Sequence, residues 1–215
     1  MKAKVAVATI HGKAYFLIVS ELKRRNIPFL SLSPGESVPV EIMVVVTTQN
    51  EKHKITHGKI LVYDPKADPE VLGSAIVKIL HGKENYASIV IGVDPGEAFG
   101  LAIIADDSVI DTENCFSVQE TLNMIKRTLR TLDFSRTAVT VKIGSGVPVY
   151  RDLLESLDEE LPSQVSLQIV GEAGTNGYSP EAKNRRGFRH MVSATRIARR
   201  SGYLYSRRKS VEQNS

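Results

Sequence analysis

Residues 88–93 (SIVIGV) form an unbroken apolar run that stops at Asp94-Pro95-Gly96-Glu97. Two more strand-like runs follow directly, 100–105 (GLAIIA) and 109–116. Runs of this kind, bounded by turn residues, read as strands, and three in succession suggest an antiparallel meander. The pattern then changes. Ser117-Val118-Gln119-Glu120 is a capping box, with Ser three residues ahead of Glu. It opens a helix bearing Leu122, Ile125, Leu129 and Leu132. In 138–143, Val139, Val141 and Ile143 alternate with Thr140 and Lys142, which is the period of a strand. Gly144-Ser145-Gly146 leads into a helix around 150–161. A strand over 165–170 ends at Gly171-Glu172, and a loop over 173–180 precedes a last, basic helix. The order is three strands, helix, strand, helix, strand, helix.

The first 86 residues also alternate. Residues 4–10 read as a buried strand. A helix over 11–25 carries Ala14, Leu17, Ile18 and Leu22, with Lys23-Arg24-Arg25 in the last turn, where cations suit the dipole. Strands are expected over 28–32, 40–48 and 60–63, with a polar loop over 49–58. Asp68-Pro69 opens a second helix, Asp as N-cap and Pro at the first position. The expectation is a small α/β domain over 1–86, of no evident role, and a second α/β domain over 87–205. Thr9, His11, Lys13, Thr47 and Thr48 lie near predicted strand ends, where α/β folds often bind ligands.

Composition narrows the setting. No apolar run approaches the ~18 residues that span a bilayer, so no membrane partner is expected. No signal-peptide pattern follows Met1. The single cysteine, Cys115, rules out an internal disulfide and a Cys-cluster zinc site, and points to the reducing cytoplasm. The net charge of +4 is unevenly spread. Residues 181–215 hold ten Lys and Arg against Glu181 and Glu212, whereas the other 180 residues carry 18 basic and 22 acidic side chains. A basic C-terminal segment on a mildly acidic body suits a polyanion, since phosphate contacts release counterions; a solvated terminal helix accounts for the charge equally well. Residues 206–215 read as a basic, disordered tail.

The strand and helix order, with an Asp closing the first strand, is the plan of the RNase H-like fold. Residues 91–102 (IGVDPGEAFGLA) resemble the opening of RuvC-type Holliday-junction resolvases and YqgF-type nucleases: hydrophobic strand, D-P-G, three residues, then G-hydrophobic-A. Residues 169–175 (IVGEAGT) resemble their strand-then-Glu motif. In the YqgF-type proteins that motif reads D-E-x-x-[ST], so Gly171 stands where an Asp is usual. Residues 190–198 (HMVSATRIA) resemble the family's last helix, D-x-x-[AD]-A before an apolar run. His190 occupies the place of the third acidic ligand, and Ser193 a place where resolvases carry another Asp. The likeness covers roughly 88–202. It implies a C-terminal RNase H-like domain in which Asp94, Glu172 and His190 form a catalytic, metal-binding set for Mg²⁺ or Mn²⁺, with the Asp94 and Glu172 strands as sheet neighbours. The resolvases act as dimers, so a homodimer is a further expectation.

The chemistry can be weighed apart from the resemblance. Phosphodiester hydrolysis needs an activated water and relief of charge on the scissile phosphate, which carboxylate-held divalent cations supply. Imidazole is softer than carboxylate and brings no negative charge, so His190 would weaken a magnesium site and favour manganese or a transition metal. Read alone, Asp94-Pro95-Gly96 is a turn, Glu172 a loop acid, and His190 a helix residue making a structural hydrogen bond. Arg185, Arg189, Arg196 and Arg200 recur on one helix face, with Lys183 and Arg186 nearby, and could hold a DNA or RNA backbone without reading bases. Phe188, Met191, Thr195, Ala198 and Gly202 form a second stripe suited to packing on the sheet. Tyr178, Tyr203 and Tyr205 could stack on unpaired bases.

Three functions compete: a metal-dependent nuclease on structured DNA or RNA; a nucleic-acid-binding protein that keeps the fold without cleavage; and an actin-like ATP-binding fragment. The last shares the strand–Asp–Gly opening, but 1–87 shows no second phosphate loop of that type. No cofactor other than the cation is expected.

Overall fold

The computed structural model describes residues 3–171 and 186–208, without the side chains of 186–189. The chain divides into two compact units, 1–84 and 85–215. Among the described residues, no helix is long and apolar enough to cross a membrane.

The first unit runs β1 (Val5–Ala8), α1 (Gly12–Arg24), β2 (Phe29–Leu32), β3 (Val44–Thr47), β4 (Ile60–Val62) and α2 (Pro69–Leu80). The four strands are all parallel, in the order β2-β1-β3-β4. Strands buried on both faces need apolar residues at every position, and β1 (VAVA) is buried throughout. One face packs Val5, Val7, Val44 and Val46 against Ile18 and Leu22 of α1 and Leu72 and Ile76 of α2. The opposite face buries Ala6, Ala8 and Val45 beneath Ile42 and Ile55, which come from the connections. The predicted N-cap Asp68 holds, accepting from the Glu70 N–H at the start of α2, and His11, where the sequence predicts no cap, caps α1 by accepting from the Ala14 N–H. The expected 40–48 strand is confined to β3, because 33–43 is spent crossing from one edge of the sheet to the other side of β1.

The second unit runs β5 (Ser88–Asp94), β6 (Phe99–Ala105), β7 (Ser108–Cys115), α3 (Val118–Arg130), β8 (Ala138–Gly144), α4 (Tyr150–Glu160), β9 (Val165–Val170), α5 (Arg186–Arg199) and β10 (Tyr203–Leu204). Its strand order is β10-β9-β8-β5-β6-β7. β5, β6 and β7 form the antiparallel meander, and β8 and β9 run parallel to β5. This is an RNase H-like arrangement within an α/β chain. The β6–β7 hairpin turns at Asp106 and Asp107, with φ of 42° and 70°. Two successive left-handed residues match the strand twist, and Asp is among the residues that tolerate them.

α3 and α4 cover one face of this sheet, where Ile89, Ile91, Leu101, Val141 and Leu167 meet Leu122, Ile125, Leu153 and Leu157. α5 lies on the other face. Its approach depends on glycines in neighbouring strands. A Cβ at Gly92 would stand 2.2 Å from the Ala194 carbonyl oxygen, and one at Gly100 2.2 Å from that of His190. Only bare backbone lets the helix come so close. Among the described side chains of α5, Ala194 and Ala198 are the buried ones. The expected packing stripe of Met191, Thr195 and Ala198 is therefore rotated: Met191 and Thr195 are half-buried, and Ala194 takes the contact.

The chain after α5 departs from the expected tail. β10 pairs antiparallel with β9, a strand that two residues gave no pattern to predict. Arg207 is buried among carbonyls at the end of α4 instead of extending a mobile basic tail, and Arg208 is bonded through its N–H to Asp158. Residues 209–215 lie outside the described residues.

Candidate functional site

The C-terminal ends of β5, β8 and β9 lie at one edge of the second sheet. Val93 faces the core below, so Asp94, the next residue, points to the α5 side. His190, in α5, sits above Gly100, the cross-strand partner of Asp94. The two predicted residues meet there: His190 Nδ1 is 3.8 Å from Asp94 Oδ2, with each side chain about 30% exposed. The DPG turn shapes the pair as well, since a Cβ at Gly96 would lie 3.6 Å from the His190 ring.

Beside this pair is a cleft of about 240 Å³ lined by Asp94, Gly144, Gly146, Ser193, Arg196 and Arg200, with Val170, Gly171 and Ile197 completing it. Arg196 is exposed and Arg200 half-buried. The two predicted arginines are thus brought to the site, along with Ser193. Gly144 is needed where it stands, because a Cβ there would meet the Ile197 side chain at 2.8 Å. The glycine turn is partly committed: the Ser145 N–H donates to the Val170 carbonyl at 3.0 Å, tying the ends of β8 and β9 together. α4 starts just beyond, and its N-cap, Val149, gives no side-chain cap.

One expectation is corrected. The strands of Asp94 and Glu172 are not neighbours, because β8 lies between β5 and β9. At ~4.8 Å per strand, their axes are roughly 10 Å apart. The cleft bridges that gap over Gly144, reaching Gly171 at the end of β9. Glu172 itself, like Lys183 and Arg185, lies outside the described residues, and Arg186 and Arg189 are described in backbone only. Tyr178 is also outside; Tyr203 is exposed on β10, and Tyr205 packs against the core.

A cation would find two donors here among the described residues, Asp94 and His190. No cluster of three His, Cys, Asp or Glu occurs among those residues. Two donors at right angles on one ion with ~2.1 Å bonds stand about 3 Å apart, closer than this pair. The described residues alone therefore do not make a metal centre.

Sequence reasoning missed Lys142. It alternates with valines on β8, turns to the α5 side, and donates from Nζ to the Arg200 carbonyl at 2.6 Å, capping the helix end. Burial lowers its pKa. A lone lysine in an apolar strand was the available signal.

The first unit gathers polar residues at its strand ends too. Glu51, 7% exposed, accepts from the hydroxyls of Thr9 and Thr48 and from the Ile10 N–H. Burial works to raise its pKa, but these hydrogen bonds outweigh it and hold the carboxyl below its ordinary value. Thr9 and Thr48 thus serve an internal carboxylate, which the polar 49–58 stretch did not reveal, and Thr47 donates to the Ala8 carbonyl at 2.7 Å.

Residues 4–81, nearly all of the first unit, match the model of a response regulator receiver-like domain. No curated protein matches the chain. Among solved structures, the chain is similar to Marinitoga piezophila Argonaute, determined in complex with a 5′ OH guide RNA. The identity is 9% and the TM-score 0.27, over 79% of this chain and 39% of that one.

Proposed function

We infer that the C-terminal unit binds the phosphodiester backbone of a nucleic acid in the cleft beside Asp94. The observation that carries this is the placement of Arg196 and Arg200 in the same cleft as Asp94, whose carboxylate faces His190. Guanidinium groups bind phosphate oxygens bidentately, and a groove with glycine walls admits a backbone without steric conflict. Lys183, Arg185, Arg186 and Arg189 would extend the basic surface. The receiver-like match of residues 4–81 supports a regulatory or partner-binding role for the first unit.

Fluorescence anisotropy with labelled DNA and RNA oligonucleotides over a salt series tests this. Replacing Arg196 and Arg200 together by Ala should weaken binding and reduce the salt slope by about 1.4–1.8, at ~0.7–0.9 per phosphate contact. An unchanged slope, or no binding by the wild type, overturns it.

The closeness of Asp94 and His190 favours a second reading: metal-dependent cleavage of structured DNA or RNA, resembling that of the junction resolvases, with Glu172 as the third ligand to Mg²⁺ or Mn²⁺. Junction, single-strand and RNA substrates should then be cut with Mn²⁺ and less well with Mg²⁺, and Asp94→Asn should abolish cutting. Binding without cutting in either metal leaves the first reading standing and removes this one.

A further inference from the structure

Phe116 directly follows β7 and is 73% exposed. Its backbone is nonetheless fixed. The Phe116 N–H donates to Glu120 Oε2 at 2.7 Å, while the Ser117 side chain accepts from the Glu120 N–H at 3.0 Å, so the Glu120 arm of the expected capping box reaches one residue beyond the N-cap. An apolar residue in this position commonly packs on the fourth residue of the helix. Here that residue is Thr121, whose hydroxyl is turned back to the Ser117 carbonyl at 2.9 Å. The ring is left largely exposed, on a turn tied by these hydrogen bonds.

Strand register sets its position along the sheet. Asp94 pairs with Gly100, and Gly100 pairs with Asn114. Cys115, the last residue of β7, is buried in the core under α3, so alternation puts Asn114 on the face that Asp94 occupies, and Phe116 follows where the strand has ended, at the same end of the sheet. β7 is two strands from β5, roughly 10 Å away. On the opposite side of Asp94 come Gly144 and the two arginines. One edge of the sheet thus presents an aromatic ring, then the Asp94–His190 pair, then a glycine turn and two guanidinium groups.

We propose that Phe116 is a stacking platform for an unpaired base, and that the ligand of this edge is single-stranded nucleic acid or the single-stranded part of a folded one. This rests on the backbone-binding reading above and adds the strandedness. A strand whose phosphates lie at Arg196 and Arg200 passes Asp94 and reaches the ring. A base in a duplex has both faces covered by its neighbours, whereas an unpaired base offers a free π-face to an aromatic side chain. Stacking tolerates any base, so the contact selects strandedness and not sequence.

The chain has no tryptophan, so Phe116→Trp introduces a unique fluorophore at the ring position. Its emission should be quenched by a single-stranded oligonucleotide and remain unquenched with a blunt duplex or an abasic strand. Phe116→Ala should weaken single-strand binding roughly 5- to 100-fold and leave duplex affinity unchanged. Equal single-strand affinity for wild type and Phe116→Ala, or an unquenched tryptophan on a bound strand, overturns the proposal. If wild-type binding still depends on Arg196 and Arg200 in that case, the backbone reading survives and only the role of Phe116 falls. If the wild type binds no oligonucleotide, both fall.

Discussion

Arg207 Nε donates to Asp158 Oδ1 at 3.0 Å, with 7% and 3% of the two side chains exposed. The terminal nitrogens of the same guanidinium donate to the carbonyls of Leu157, Asp158, Leu161, Pro162 and Val165. Helix ends leave carbonyls without partners, and cations there also complement the dipole. α4 has no basic residue in its own last turn, so a residue from the far end of the chain supplies the charge.

Removing that guanidinium strands a buried carboxylate and several carbonyls. Arg207→Ala should cost about 3–5 kcal/mol of stability, read as a lower urea midpoint with unchanged slope. Arg207→Lys should fall between, because an ammonium cannot fork across several acceptors. An Ala variant with the wild-type midpoint would show that the cap contributes nothing.

The Glu51 carboxyl has a pKa held below its ordinary value in the folded protein. A depressed folded pKa means that ionised Glu51 stabilises the fold at neutral pH. That stability is fully present above the unfolded value of about 4.3 and is lost as pH falls through the lower folded value. The stability difference between wild type and Glu51→Gln should be constant near neutrality and shrink below about pH 4. A difference that does not vary with pH in acid would contradict the assignment.

Cys115 is 1% exposed, and burial, with the Glu120 charge adding to it, pushes its thiol pKa up to about 11. The thiolate is the reactive form. Native protein at pH 8 should resist aromatic disulfide reagents, and labelling should appear only with unfolding in denaturant. Rapid labelling of folded protein would place the thiol nearer the surface.

Gly100→Ala should displace α5, since the added Cβ meets the His190 carbonyl at 2.2 Å. Overpacking of this kind costs about 1–3 kcal/mol. Oligonucleotide binding should weaken as well, because the shift moves His190 and the arginines away from Asp94. Gly171→Ala, whose Cβ would meet nothing within 4 Å, is the control for stability. Equal melting temperatures for the two variants would refute the close docking of α5.

The sequence by itself determined the elements. Apolar runs ending in turn residues gave the strands, and the box at Ser117 and the pair Asp68-Pro69 gave helix starts, because those signals act between residues close along the chain. The meander-then-alternation order carried the fold class, and the DPG turn and last helix carried Asp94, His190, Arg196 and Arg200. Only the tertiary structure decided which strand ends share an edge. β8 stands between β5 and β9, so what was expected as a neighbouring pair is a cleft bridged by Gly144. It also turned α5 onto Ala194, buried Arg207 against a helix nearly fifty residues away, and filled the first unit's strand ends with Glu51. Each of these depends on contacts between residues far apart in sequence, which no local periodicity encodes. The same holds for Phe116, whose place at the end of the sheet that carries Asp94 follows from two strand pairings.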